Sequence, residues 1–317
     1  MKWPTRPRVP AFGPTLWGIG AFLLLLGSGA PWIPTFLLTI VINLLIFAAL
    51  AYSLNFITGL TGYVNFGHVV FMATGSYALG YGVGTLGLHP IGGVALGALV
   101  SLLLAVGIGA VTLRFRGVYF AIASLVTPLA ALNIVLVLPG LGQGQAIYLN
   151  IGLEPLAWFY TIWTLVAIEV GLTYWITHGR VGYGIRAIKS DEDAAKSLGV
   201  DAPKLKLFLF ALSGLFAGAA GGVSAWTTSG VFPYAAFDLT FSLLMLAMIV
   251  IGGMGTLLGP LIGAAIVNLL SRFFLTIFIG TEFIIIGLVV IVIALLVPDG
   301  IVGTLRAYVP ELRRILE

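Results

Sequence analysis

Between Ala11 and Leu113 the chain carries no Asp, Glu, Lys or Arg. So long a run without charge cannot supply the solvated face of a water-soluble domain. Its natural solvent is lipid, where one helical crossing needs about 20 mostly apolar residues. The backbone polar groups must then be satisfied inside the spanning element, which favours helices. The remainder of the chain is similar: 60% of all residues are hydrophobic and 8% charged, against roughly 25% charged in a soluble domain. The 42 glycines suit closely packed membrane helices, because small residues let backbones approach. With no cysteine, disulfides and thiolate metal sites are excluded. His68, His89 and His178 lie far apart, without metal-ligand spacing. A net charge of +4 gives no reason to expect nucleic acid as a partner.

Apolar runs bounded by charge, Pro or Gly predict an all-α, polytopic membrane protein of about ten transmembrane helices, with eight to ten as the range. The predicted spans are residues 14–28, 34–57, 66–86, 91–113 and 118–138, then 157–177, 206–228, 239–252, 257–277 and 282–297. Residues 1–317 form a single transmembrane domain. Lys2, Arg6 and Arg8 precede the first apolar run as in a signal peptide, but a longer run follows at once, so the first is read as a retained helix. With both termini in the cytoplasm, Arg114, Arg116, the charged segment 179–204 and the tail with Arg306, Arg313 and Arg314 all fall inside. The outer loops then hold Glu154, Asp238 and Glu282 and no Lys or Arg, apart from Arg272 near a helix end. That is the positive-inside pattern of a multi-pass membrane protein.

Two glycine-rich breaks interrupt the apolar runs. One spans residues 58–68 and contains Gly59, Gly62, Asn65, Gly67 and His68; the other spans 251–260 and contains Gly252, Gly253, Gly255 and Gly259. Irregular backbone at membrane depth is tolerated only inside protein or along a wet cavity, and paired breaks of this kind point to a transport pathway. Tight turns at the membrane surface are the alternative. Gly59, Gly62, Asn65, His68, Ser76, Gly252, Gly253 and Gly255 are therefore the candidate pathway residues. Asn43, Asn55, Asn133 and Asn268 are further amide groups at membrane depth, where bonding between helices is the commoner role. Glu169 is the acidic residue well inside a predicted span, a functional candidate by default, with Arg272 as a partner to consider.

The strongly polar segment 179–200 carries its own helix punctuation. Ser190 is an N-cap candidate with Asp193 three residues on. Asp191, Glu192 and Asp193 stand where the helix dipole favours anions. Gly199 is a candidate C′ residue with Val200 behind it to pack back. This predicts a helix of about eight residues over 191–198, with Ala194, Ala195 and Leu198 beside its charges. Such a helix is marginal in water alone. It is either a small knob for a cytoplasmic partner or a capped, solvated loop.

The segment resembles the cytoplasmic coupling loop of the permeases of branched-chain amino acid ABC importers. The matching pieces are Gly179-Arg180, Arg186-Ala187-Ile188, Asp191-Glu192, Ala194-Ala195 and Leu198-Gly199. Three further stretches agree in order: 59–80, 252–263 and the ending 298–303. The acidic turn with Ala-Ala is closer to the LivM-like branch. The resemblance implies a non-catalytic permease that works with a second permease subunit, two ATP-binding cassette subunits and a periplasmic or extracellular substrate-binding protein. It implies that Arg180, Arg186, Asp191, Glu192, Ala194, Ala195, Leu198 and Gly199 serve coupling to the ATPase. ATP and Mg would be used by the partner subunits; this chain has no G-x-x-x-x-G-K-[ST] loop to hold phosphates. Branched-chain amino acids or another small neutral or zwitterionic solute would be carried. The alternative is a self-contained secondary transporter or channel, for which Glu169 and His68 are the available coupling groups.

Overall fold

The computed structural model describes residues 20, 27–138, 141, 143–277, 287–288, 291 and 300–308. The spans expected over 14–28 and 282–297 lie largely outside these residues, as do Lys2, Arg6, Arg8, Glu282, Asp299, Arg313 and Arg314.

The chain is an all-α membrane protein. Among the described residues its main helices are α1 (Thr35–Leu54), α2 (Val69–Gly84), α3 (Pro90–Thr112), α4 (Val118–Val137), α5 (Pro155–His178), α6 (Arg180–Ser190) and α7 (Glu192–Ser197). Then follow α8 (Ala202–Thr228), α9 (Leu239–Gly252), α10 (Gly259–Ile277) and α11 (Gly300–Tyr308). Proline or a short polar side chain opens most of them. Pro90 and Pro155 occupy the first turns of α3 and α5, where a missing N–H costs nothing. Asp201 accepts from the Lys204 N–H to start α8, and Asp238 accepts from the Thr240 N–H to start α9.

Among the described residues, six segments are long and apolar enough to cross a membrane. The count of about ten is thus met only in part, because two expected spans fall outside these residues and two are short. α2 has 16 residues, since the first glycine break takes its N-terminal turn. The apolar part of α10 is likewise short, Gly259–Arg272. α4 has the least buried window of the six, at 22%, and it and α3 present Leu103, Val111, Ile122, Val126 and Ile134 outward, as a lipid-facing surface requires.

The centre is built on backbone-to-backbone packing of α2, α3 and α8. A Cβ at Gly97 would lie 2.8 Å from the Gly75 carbonyl oxygen, and one at Gly75 would run into the Gly218 carbonyl. Serines bond across these close contacts: Ser101 Oγ donates to the Phe71 carbonyl at 3.0 Å, and Ser76 Oγ to the Gly221 carbonyl at 2.9 Å. Small residues thus do for this core what large apolar ones do in water. α1 lies against α5, α8, α9 and α10, filling its faces with Leu45, Tyr52, Phe159 and Met248.

The bundle has two chemically distinct ends. At one, a two-residue antiparallel ladder joins β1 (Ile147–Tyr148) to β2 (Gly230–Val231), near Glu154 and Asp238. At the other gather Arg114, Arg116, α6, α7 and both glycine breaks, linked by the contacts described next.

Candidate functional site

At the basic end, α1 does not stop cleanly. Asn55–Gly59 forms a π-helical turn, a device that places an extra residue in a helix and recurs at functional sites. The chain then leaves the helix at Gly62, whose φ of +80° suits glycine, and resumes at Val69. The irregular segment lies mostly inside protein, and side chains satisfy its backbone. Asn65 N donates to Thr58 Oγ1 at 3.2 Å, Gly67 N to Asn65 Oδ1 at 2.9 Å, Phe66 N to Ser124 Oγ at 3.0 Å, and Val69 N to Ser242 Oγ at 2.9 Å. His68 is fully buried; its Nε2 lies 2.9 Å from Ser53 Oγ and its Nδ1 3.4 Å from Asn65 Nδ2.

The second break meets the first directly. Gly255 N donates to Asn55 Oδ1 at 2.8 Å, and Tyr52 donates its hydroxyl proton to the Leu257 carbonyl at 2.7 Å. The approach is close enough that a Cβ on Gly59 would lie 2.7 Å from the Gly255 nitrogen. Gly253 and Gly255 have φ of +120° and +80°. A Cβ on Gly252 would strike the Gly259 carbonyl. Two segments about 200 residues apart therefore form one junction, and it is made by glycines that nothing larger could replace.

The polar loop is attached to that junction. α6 is a feature the sequence reading does not contain: residues 180–190 form a helix, with Gly182, Ile185 and Ile188 on its buried face. From its end Lys189 Nζ donates to the Gly59 carbonyl at 2.8 Å. Arg180 and Arg186 are exposed; Arg186 donates to the Thr177 carbonyl at 3.0 Å and lies over the Tyr183 ring.

α7 is shorter than expected and is capped one residue later. Ser190 closes α6, and Asp191 is the N-cap, its Oδ1 accepting from the N–H groups of Asp193 at 2.9 Å and Ala194 at 3.0 Å. Asp191 takes the role because its backbone is extended, with φ of −158°, while Ser190 is still helical. Asp193 accordingly faces Arg116, at 2.9 Å, and not the cap. The expected ending is present. Gly199, at φ of +86°, donates to the Lys196 carbonyl and Val200 to the Ala195 carbonyl, the paired bonds of a Schellman close. Val200 packs with Ile188, Ala195 and Ala202. Ala195 is buried, whereas Ala194, Leu198 and Gly199 face outward, Leu198 with 82% of its surface exposed.

Glu192 fastens α7 to the membrane helices. Its carboxylate accepts from Lys206 Nζ on α8 at 3.0 Å, from Lys196 at 2.8 Å, and from the Tyr63 hydroxyl in the first break. Lys206 is itself 2% exposed and donates also to Tyr63 Oη at 2.8 Å. Arg116, from the turn between α3 and α4, lies 3.8 Å away. Burial disfavours the charged form of Glu192, but hydrogen bonds from Lys196, Tyr63 and Lys206 outweigh it and hold the carboxyl at about 2. Burial together with the Glu192 contact raises the Tyr63 phenol, so it stays a donor. Lys189, Lys206, Tyr63 and Arg116 are the residues that sequence reasoning misses at this site. Lys206 is legible in retrospect, since it shares a helical face with Ala202, Leu209, Phe210 and Ser213, all buried.

Away from this junction, Ser76 serves the α2–α8 contact. Glu169 is fully buried on α5, and neither carboxylate oxygen has a hydrogen-bond partner among the described residues. Arg272 Nε donates to Asn268 Oδ1 at 3.2 Å. Asn43 and Asn133 bond to carbonyls of their own helices.

Comparison with known proteins bears on this arrangement. Residues 36–295 match the family described as branched-chain amino acid transport system, permease component. The chain is 30% identical over 153 residues to a probable branched-chain amino acid transport permease protein LivH of Methanocaldococcus jannaschii, covering 46% of this chain and 48% of that one. It is 31% identical over 133 residues to the high-affinity branched-chain amino acid transport system permease protein LivM of Escherichia coli, covering 42% and 30%. It is 28% identical over 115 residues to the ribose import permease protein RbsC of Escherichia coli, covering 35% and 36%. These matches thus span less than half the length of each relative. No solved structure matches the chain. With two glycine breaks and a capped polar loop held at one end of an apolar bundle, and with the family match running through all three, the chain belongs to the family described as branched-chain amino acid transport system, permease component.

Proposed function

We propose that the chain is the membrane-spanning, non-catalytic subunit of an ATP-driven importer. It pairs with a second, related permease, two ATP-binding cassette subunits that use ATP and Mg, and an external substrate-binding protein. The solute is small and neutral or zwitterionic, with branched-chain amino acids as the first candidates. The observation that carries this reading is the attachment of the α6–α7 loop to the first glycine break and to α8, through Lys189 to Gly59 and through Glu192 to Tyr63 and Lys206, with the first break bonded in turn to the second through Asn55 and Gly255. A loop held in this way moves the breaks when a partner pushes on α7. Ala194, Leu198 and Gly199 form its outward surface for an ATPase groove. The basic end faces the cytoplasm in the inner membrane, with about ten crossings, a reading that the distribution of Lys and Arg supports.

A second reading takes the solute to be a neutral sugar, and the partial likeness to a ribose import permease supports it. A self-contained secondary carrier would rest on Glu169, whose buried carboxyl has no hydrogen-bond partner among the described residues.

Purification of the tagged chain from its native membrane in mild detergent, followed by mass spectrometry of what comes with it, tests the proposal. Recovery of ATP-binding cassette subunits and a second permease is expected. A chain that purifies alone and still moves solute into liposomes without ATP would overturn it.

A further inference from the structure

At the basic end, between the end of α3 and the start of α8, lies a half-open cavity of about 360 Å³. Its charge is unusual for this chain. Arg114, Arg116, Lys196, Lys204 and Lys206 line it, against Glu192 as the one carboxylate. Asp193 and Asp201 stand at its edge on Arg116 and Lys204, and cations still outnumber acids by five to three. Glu192 is already satisfied by Lys206 and Lys196. Arg114 donates from Nε to the Ala110 carbonyl of its own helix and has no carboxylate partner among the described residues. The Lys204 side chain is 88% exposed. The cavity therefore offers surplus positive charge.

The wall between the cations is apolar, formed by Gly109, Leu113 and Leu207. From Arg114 a single outward stripe runs back along α3 through Ala110, Val106, Leu103 and Leu99, at helical spacing. Leu103 is 70% exposed and Leu99 56%. A basic cavity continuous with an exposed apolar stripe matches a molecule with an anionic head and long apolar tails. A free anion would need the cations and not the stripe.

We propose that this cavity holds the phosphate of an anionic phospholipid, with Arg114 and Lys204 as its principal contacts and the acyl chains lying along the α3 stripe. Basic pockets between membrane helices on the cytoplasmic side take such head groups. The assignment rests on the reading that this end meets the cytoplasmic leaflet. An occupied site would brace Arg116 and Lys196, which hold Asp193 and Glu192, and so would steady α7 from the lipid side.

Native mass spectrometry of the purified chain tests this, with phosphatidylglycerol and phosphatidylcholine of identical acyl chains offered in turn. Phosphatidylglycerol should stay bound under activation that strips phosphatidylcholine. The pair Arg114→Gln and Lys204→Gln should lower its affinity about thirtyfold, at about 1 kcal/mol for each cation removed, while Arg114→Lys with Lys204→Arg should retain it. Millimolar inorganic phosphate should not displace it. Equal retention of both lipids, or unchanged occupancy in the glutamine pair, would overturn the proposal. Displacement by phosphate would do so too, by assigning the cavity to a free anion. Occupancy is read without transport, so failure of the importer reading and failure of the lipid site are separate results.

Discussion

Lys189 Nζ donates to the Gly59 carbonyl across 2.8 Å, joining the helix of the polar loop to the π-turn in which α1 ends. Gly59 in turn abuts Gly255, and Asn55 from the same turn accepts from the Gly255 N–H. The loop, the first break and the second break are therefore one mechanical unit.

That unit leaves no room at its centre. Gly59→Ala would place a methyl on the Asn55 side chain and 2.7 Å from the Gly255 nitrogen. A loss of about 2 kcal/mol is expected from such overpacking. Gly171→Ala is the control: it lies inside α5 with nothing within 4 Å of its new Cβ, and a gain of up to about 1 kcal/mol is expected from helix propensity. Thermal unfolding in detergent separates the two.

The Glu192–Lys206 pair should behave as a buried ion pair. Glu192→Gln leaves Lys206, only 2% exposed, without a carboxylate, and a loss of about 3 kcal/mol is expected. Adding Lys206→Met removes the stranded charge and should recover much of that loss. A double-mutant cycle on the unfolding midpoint measures the coupling. Additive single effects would count against a direct pair.

The same pair predicts a pH response. Glu192 has its carboxyl depressed from 4.5 to about 2 in the fold, so its stabilisation is complete above the unfolded value. It is lost as pH falls from 4.5 toward about 2. Protease resistance of the α6–α7 loop should be flat with respect to this group from neutral pH to pH ~5. It should fall below that in the wild type, and Glu192→Gln should lack the Glu192 component.

Loss of the α7 cap should weaken coupling and spare insertion. Asp191→Ala removes the acceptor for two N–H groups, at a cost of about 1 kcal/mol to a helix of one and a half turns. Membrane yield should be unchanged while ATP-driven uptake falls. Unchanged uptake would show that α7 need not be helical.

The membrane helices were legible because an uncharged run has few ways to fold, and the expected span 239–252 coincides with α9. The ending of α7 at Gly199 was legible too, since a positive φ there needs glycine. The start was not. Ser190 and Asp191 are both good caps, and the choice depends on α6, which sequence reading leaves in the loop although Val181, Ile185 and Ile188 stand at helical spacing. The meeting of the two breaks had no local signal, because Asn55 and Gly255 are brought together only by the packing of α1 against α9 and α10. Lys206 was hidden for a different reason: a lysine at the start of a membrane helix reads as a boundary marker, and its burial follows from Glu192, a residue of the loop.

The most direct test is uptake into proteoliposomes containing the chain with its co-purifying subunits, measured beside ATP hydrolysis in the same vesicles. The account predicts uptake that requires ATP, and a Lys189→Met variant that assembles and hydrolyses ATP but transports about tenfold less, the loss of one charge-assisted hydrogen bond. Uptake that proceeds without ATP, or a Lys189→Met complex that transports as well as the wild type, would contradict it.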